Sequence, residues 1–205
     1  GEGISTVVPL KRGGNWVGLL GDFNGDGITD QGTHETNAMT IYLGDRRSLL
    51  ETASGSIWFQ ADDGGPFSYS SQLFLGDFNG DGKTDVASHP SHILPVTAAG
   101  WSIGISDGKK FIDQGVWIPW FGRWNDQQVV GDFNGDGRTD WCRLALQDGS
   151  IEAQAAFSTG NAFLIQPKFV LNDLQFNASS DQVALADFNG DGITDFGVWK
   201  ASDKR

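Results

Sequence analysis

The 205-residue chain is short of several things, and each shortage removes a class of protein. It has one cysteine, Cys142, so no internal disulfide can staple it and no thiolate cluster can hold zinc. It has six prolines and one methionine, Met39, and because it starts at Gly1 it reads as a processed chain. Lys and Arg total 14 against 26 Asp and Glu, a formal net charge of −12. That deficit of cations argues against nucleic acid, whose binding rests on neutralising phosphates, and against anionic membrane surfaces. No apolar run approaches the ~18 residues of a membrane span, so no direct membrane insertion is expected. No N-terminal segment has the pattern of a signal peptide. G-x-S-x-G, H-E-x-x-H and a phosphate-cradling glycine loop are absent as well. Stability must come from burial, or from metal.

Glycine is abundant, with 29 residues, so tight backbone turns are frequent. Many of them belong to an internal repeat. Four segments are nearly identical: LGDFNGDGITD (20–30), LGDFNGDGKTD (75–85), VGDFNGDGRTD (130–140) and LADFNGDGITD (185–195). Their first aspartates, Asp22, Asp77, Asp132 and Asp187, lie 55 residues apart each time. A short apolar stretch precedes each loop, and Phe23, Phe78, Phe133 or Phe188 follows the first aspartate. A small residue stands two places past the last aspartate: Gly32, Ala87, Cys142 and Gly197. The apolar runs are too short for ordinary helices and are bounded by glycine turns, so they read as strands.

A unit of this length with about four short strands has the size of one propeller blade. The expected fold is an all-β propeller, a single domain over 1–205. Its repeats lie around 16–70, 71–125, 126–180 and 181–205, the last completed by 1–15. The expected form is a four-bladed ring closed by the N-terminal run Ile4–Leu10, which would hide the open sheet edges. The alternative is four blades of a larger ring. The small residues are expected where equivalent strands converge near an axis, and the phenylalanines between adjacent sheets.

The loop supplies a ligand list. Asp22, Asn24 and Asp26 stand at positions one, three and five, the carbonyl of Ile28 at seven and Asp30 at nine. The other copies give Asp77, Asn79, Asp81, the carbonyl of Lys83 and Asp85; Asp132, Asn134, Asp136, the carbonyl of Arg138 and Asp140; and Asp187, Asn189, Asp191, the carbonyl of Ile193 and Asp195. Glycine at position six permits the sharp turn. An all-oxygen set of this size suits a hard cation, calcium better than magnesium, and four copies predict about four Ca2+ per chain. Twelve of the 26 acidic residues lie here, so each empty loop would crowd three carboxylates together. An EF-hand is excluded, because position twelve is Thr33, Ser88, Arg143 or Val198 rather than glutamate and the flanks read as strands. An Asx-rich turn without metal is the plainer reading of any single copy.

D-F-N-G-D-G-x-T-D repeated at this spacing resembles the FG-GAP/VCBS repeats of integrin-α-like β-propellers, and the resemblance covers all four units. It implies blades with calcium in the loop between the first two strands, in secreted or cell-surface proteins such as adhesion heads, lectins and accessory domains of toxins and hydrolases.

Outside the loops, GVWIPWFGRWND groups Trp117, Trp120, Arg123 and Trp124. Trp124 corresponds to Tyr69 one unit earlier and Ser179 one unit later, so the repeat does not require an aromatic there. Tyr69, Trp120, Arg123 and Trp124 are therefore candidate ligand contacts, set against blade packing by large hydrophobes. His34 and His89 occupy equivalent positions and read as structural, and Cys142 as a small core residue. The carboxylates are committed to the loops, which leaves no catalytic pair. The expected function is that of a calcium-binding, non-catalytic recognition or adhesion module for a glycan or protein, within a larger secreted or cell-surface polypeptide. The alternative is a propeller enzyme, or an accessory domain of a secreted polysaccharide lyase, hydrolase or toxin.

Overall fold

A computed structural model of the chain describes residues 6–10, 16–35, 38–45, 55–60, 71–90, 100–119, 121–122, 126–147, 149–172, 177 and 180–201. These residues form sixteen β-strands and no helix. They group into two compact units, 1–120 and 121–205, each built of two antiparallel sheets.

In the first unit, one sheet runs β1 (Thr6–Leu10), β2 (Trp16–Gly21), β3 (Asp30–Glu35), β4 (Ala38–Tyr42) and β5 (Ser56–Gln60), in that order. The other runs β6 (Ser71–Gly76), β7 (Asp85–Pro90), β8 (Gly100–Ser106) and β9 (Phe111–Pro119). In the second unit, β10 (Gln127–Gly131), β11 (Asp140–Gln147) and β12 (Ser150–Ser158) pair in order. β12 then carries both β13 (Phe163–Ile165) and β14 (Phe169–Asn172) along its far edge. The last sheet has two strands, β15 (Gln182–Ala186) and β16 (Asp195–Trp199).

The repeat has one meaning throughout: each DFNGDGxTD loop closes a hairpin, β2 with β3, β6 with β7, β10 with β11 and β15 with β16. The closing pairs are Gly21 with Asp30, Gly76 with Asp85, Gly131 with Asp140 and Ala186 with Asp195. The fourth and sixth loop residues lie in the left-handed region, with φ of 79° at Gly25 and 80° at Gly27, where a side chain would be strained. This is why these two glycines are kept in every copy.

Each unit has a core between its two sheets. In the first, Leu19, Met39, Ile41 and Trp58 meet Leu73, Leu75, Val86 and Phe111, with the loop residue Phe23 among them. Phe23 is fully buried, its ring 6.2 Å from Trp58 of β5 and 5.7 Å from Phe111 of β9, both edge-on. It thus joins the two sheets, as the repeat suggests. In the second unit, Cys142, Leu144, Ile151 and Ala153 pack with Phe133, Val183 and Phe196, and the Phe133 and Phe196 rings stack at 5.8 Å.

One expectation changes. The N-terminal strand does not complete the last sheet: β1 pairs with β2, Thr6 opposite Leu20 and Leu10 opposite Trp16. A short connection carrying Gly13-Gly14 makes this hairpin cheap in loop entropy compared with closure across the whole chain. The small residue two places past the first loop, Gly32, is crowded by its own sheet. A Cβ on Gly32 would lie 2.6 Å from Ile41 Cδ1 and 3.2 Å from Leu19 Cβ.

Phe23→Ala should destabilise the protein by about 3–5 kcal/mol, as large-to-small changes at buried aromatics do. Phe188→Ala, at an equivalent residue that is 61% exposed, should change stability by less than about 1 kcal/mol. Urea unfolding followed by tryptophan fluorescence checks both.

Candidate metal centre

Each loop folds its acidic side chains back onto its own main chain. Asp22 Oδ1 accepts from the N–H groups of Gly25 (2.8 Å) and Asp26 (3.1 Å), and Oδ2 from Gly27 (2.8 Å). Asn24 Oδ1 accepts from Asp26 N–H, its amide nitrogen donates to Asp26 Oδ2, and Asp26 Oδ1 accepts from Ile28 N–H. Asp77, Asn79 and Asp81 repeat the pattern, as do Asp132, Asn134 and Asp136, and Asp187, Asn189 and Asp191. The sequence explains this directly, since Asx side chains bond main-chain N–H groups two to five residues ahead and the glycines allow the tight path.

The ninth position does something else. Asp30, Asp85 and Asp140 are completely buried. Oδ2 of each accepts from the N–H of the loop phenylalanine: Phe23 at 2.8 Å, Phe78 at 3.0 Å and Phe133 at 3.0 Å. Oδ1 accepts from the N–H at or just past the end of the strand paired beyond the hairpin, β4, β8 or β12: Gly44 at 2.7 Å, Ser106 at 2.8 Å and Ser158 at 2.7 Å. One carboxylate therefore pins the start of the loop to a strand two positions away in the sheet. In the fourth copy, Asp195 Oδ2 keeps its bond from Phe188 N–H at 3.1 Å, and no third strand is present among the described residues.

Burial pushes Asp85 up to about 8, and the charges of Asp81 and Asp77 add to this against the pull of its two backbone bonds. Asp140 rises to about 6 for the same reasons, and Asp30 is raised as well. Asp81 goes the other way: against its burial, the bonds from the Lys83 ammonium (2.6 Å) and Asn79 hold it below the usual carboxylate range. Arg138 pairs likewise with Asp136, at 2.6 Å.

Among the described residues, no three acidic, His or Cys groups converge as a ready metal site. By donor chemistry the loops nevertheless fit a hard cation. Each offers three carboxylates, an amide oxygen and the carbonyl at position seven, all oxygen. In the first loop, Asp22 Oδ2 and the oxygens of Asn24, Asp26 and Asp30 each accept a single hydrogen bond, which leaves each a lone pair. The carboxylate crowding that raises Asp85 is also what a bound cation relieves.

A contact that the sequence reading missed joins loop to loop. Thr84 N–H donates to Asp22 C=O at 2.7 Å, and Asp22 N–H donates to Thr84 Oγ1 at 3.0 Å. Thr194 N–H donates to Asp132 C=O at 2.6 Å. A Cβ on Gly21 or Gly131 would lie 2.7 Å from the facing threonine side chain, so glycine is needed there. The signal was visible as threonine at position eight of every copy. Ser106 Oγ adds a bond to Phe23 C=O at 2.6 Å.

Tyr69, Trp120, Arg123 and Trp124 lie outside the described residues. His34 is buried in β3, and burial pushes the Cys142 thiol up to about 12, as suits a core residue. Repeat spacing alone did not point to the ion-pair network at Arg143. That buried guanidinium bonds Asp126 at 2.9 Å, Glu152 at 2.6 Å and Gln154 at 3.1 Å.

No protein-family model matches the chain, and no curated protein does. Among solved structures, a lectin of Agrocybe aegerita, described for specific recognition of non-reducing terminal N-acetylglucosamine, matches with a TM-score of 0.63 at 19% identity. The match covers 91% of this chain and 47% of the lectin. An exotype rhamnogalacturonan lyase, YesX, matches with a TM-score of 0.49 at 16% identity, over 96% of this chain and 42% of the lyase. The chain shares an all-β fold with the lectin and spans about half the length of either neighbour.

In EDTA, Asp85→Asn should cost about 2 kcal/mol, because an amide cannot accept both buried N–H bonds without turning its own NH2 toward one of them. Asp195→Asn should cost less than about 1 kcal/mol, since its third-strand bond is absent. Urea midpoints of the two variants side by side check the contrast.

Proposed function

We propose that this chain is a calcium-stabilised, non-catalytic carbohydrate-recognition module of the FG-GAP/VCBS propeller type, acting in a larger secreted or cell-surface protein. The observation that carries the reading is the fold shared with a lectin over 91% of the chain, joined to four loops with calcium-type donor sets. Asp22, Asn24, Asp26, the Ile28 carbonyl and Asp30, with their three sets of counterparts, would hold the ions. Bound calcium supplies fixed positive charge that holds the loop carboxylates ionised and the hairpin closed. Loops of this kind in extracellular modules bind calcium at roughly 10⁻⁴–10⁻³ M, which suits an extracellular setting. Tyr69, Trp120, Arg123 and Trp124 are the proposed ligand contacts, with aromatic faces to cover a sugar ring and a guanidinium to bond its hydroxyls. The twelve loop aspartates bond the main chain of their own repeats, and Asp126 and Glu152 pair with Arg143, so none of these stands as an acid–base pair, which supports recognition over catalysis.

A glycan array probed in calcium and in EDTA, beside a depolymerisation assay on rhamnogalacturonan, tests this reading. Expected are calcium-dependent binding of glycans, terminal N-acetylglucosamine among them, and no new reducing or unsaturated ends. Cleavage without array binding would overturn it.

Calcium titration by isothermal calorimetry should give about four ions per chain, and Asp77→Ala should lose one. Calcium at 100-fold above Kd should add about 2.7 kcal/mol per loop, so EDTA should lower the Tm clearly. An unchanged Tm in EDTA would separate the loops from calcium.

A further inference from the structure

The chain has ten asparagines, and the four that a glycine follows are the four in the loops: Asn24, Asn79, Asn134 and Asn189. An asparagine side chain is most open to its own main chain at Asn–Gly, because glycine brings no Cβ to screen its nitrogen. The turn demands glycine at this place. Gly25, Gly80, Gly135 and Gly190 have φ of 79°, 79°, 76° and 80°, in the left-handed region. All four are exposed, so water reaches the peptide bond.

The reaction open to such a step is cyclisation. The glycine nitrogen attacks the asparagine side-chain carbonyl carbon and a new C–N bond forms. The bond from that carbon to Nδ2 breaks, and Nδ2 leaves as ammonia with the glycine N–H proton. Water then opens the cyclic imide at either carbonyl, giving aspartate or isoaspartate. Two hydrogen bonds of each loop stand against this. The glycine N–H that must be lost donates to Oδ1 of the position-one aspartate: Asp22 at 2.8 Å, Asp77 and Asp132 at 2.7 Å, Asp187 at 2.6 Å. The Nδ2 that must leave donates to the position-five aspartate: Asp26 at 3.0 Å, Asp81 at 3.1 Å, Asp136 and Asp191 at 2.9 Å. A carboxylate bonded to an N–H opposes loss of its proton twice, through the bond and through its own negative charge.

We propose that the four Asn–Gly steps are latent isoaspartate sites, each held closed by the position-one aspartate of its own loop. That aspartate keeps the loop chemically intact as well as folded, and it does so without any bound ion. Where its bond to the glycine N–H is lost, the asparagine converts. Aspartate as product keeps the main chain and adds a carboxylate to an already acidic loop. Isoaspartate adds one carbon to the main chain between positions three and four. In the first loop this shifts Gly27 N–H away from Asp22 Oδ2 and opens the turn.

The test follows all four asparagines in the full chain, in EDTA at mildly alkaline pH, by peptide mapping and tandem mass spectrometry that separates aspartate from isoaspartate. The free peptide FLGDFNGDGKTD (74–85) gives the rate without the fold. Asn79 should convert at least about tenfold more slowly in the chain than in this peptide. Asp77→Asn keeps the shape of the side chain and removes its charge. It should raise conversion at Asn79 about tenfold, as loss of a charge-assisted hydrogen bond does, and leave Asn134 and Asn189 at their wild-type rates. Asp132→Asn should do the same at Asn134 and leave Asn24 and Asn79 unchanged. Asp77 and Asp132 lie in different compact units, so misfolding of one variant leaves the other to decide. Conversion in the wild-type chain as fast as in the peptide overturns the proposal, as do unchanged rates at Asn79 and Asn134 in their variants. Equal acceleration of all four asparagines in both variants also overturns it, because general opening of the chain would then govern the step.

Discussion

The buried carboxylate at the ninth loop position is the interaction on which the rest of each sheet depends. With one oxygen on the N–H of the loop phenylalanine and the other on the end of the third strand, Asp85 ties together three segments that the chain visits far apart. An ionised aspartate is short enough to reach both donors and accepts with both oxygens. Its burial is costly, and the cost shows in how far Asp85 is pushed up. The structure tolerates that because the alternative leaves two main-chain N–H groups buried and unpaired. The fourth copy shows the converse. There, with no third strand among the described residues, Asp195 is half-buried rather than fully buried, and the neighbouring Phe188 lies open.

From that anchored loop the packing of sheet on sheet follows. The phenylalanine whose N–H is fixed by the aspartate has its ring set by the same bond, which in the first unit aims Phe23 between Trp58 and Phe111. The threonine before the aspartate is held by the same turn, and it meets the preceding loop through Asp22 or Asp132. Position two, position eight and position nine of the motif are therefore one device: closure within a sheet, contact with the next, and core between them. The small residue before each loop at Gly21 and Gly131 belongs to it too, since nothing larger lets the threonine approach.

Loop electrostatics vary over this constant frame. The second and third copies carry Lys83 and Arg138 at position seven, each paired with the aspartate at position five. The first and fourth carry isoleucine there and have no such internal cation. Negative charge is thus least compensated in the loops that begin and end the series, and the donor chemistry proposed for calcium is the same in all four.

Periodicity and spacing by themselves determined a great deal here. Strand-loop-strand hairpins at Gly21–Asp30 and its three counterparts, the left-handed glycines, the absence of helix and the interior position of Phe23 all follow from contacts within about ten residues of the motif or from its fourfold recurrence. Tertiary structure alone decided the rest. Whether β1 joins β2 or the far end of the chain is a competition between loop entropy and edge pairing that composition does not encode. The double duty of Asp30, Asp85 and Asp140 was invisible because a carboxylate that accepts main-chain bonds and one that ligates metal have the same sequence signature. The ion pair of Arg143 with Asp126 was hidden because charge on a strand reads as solvent-facing until its neighbours are known. Local chemistry sets the hairpins, and only the meeting of distant strands sets what each buried polar group bonds to.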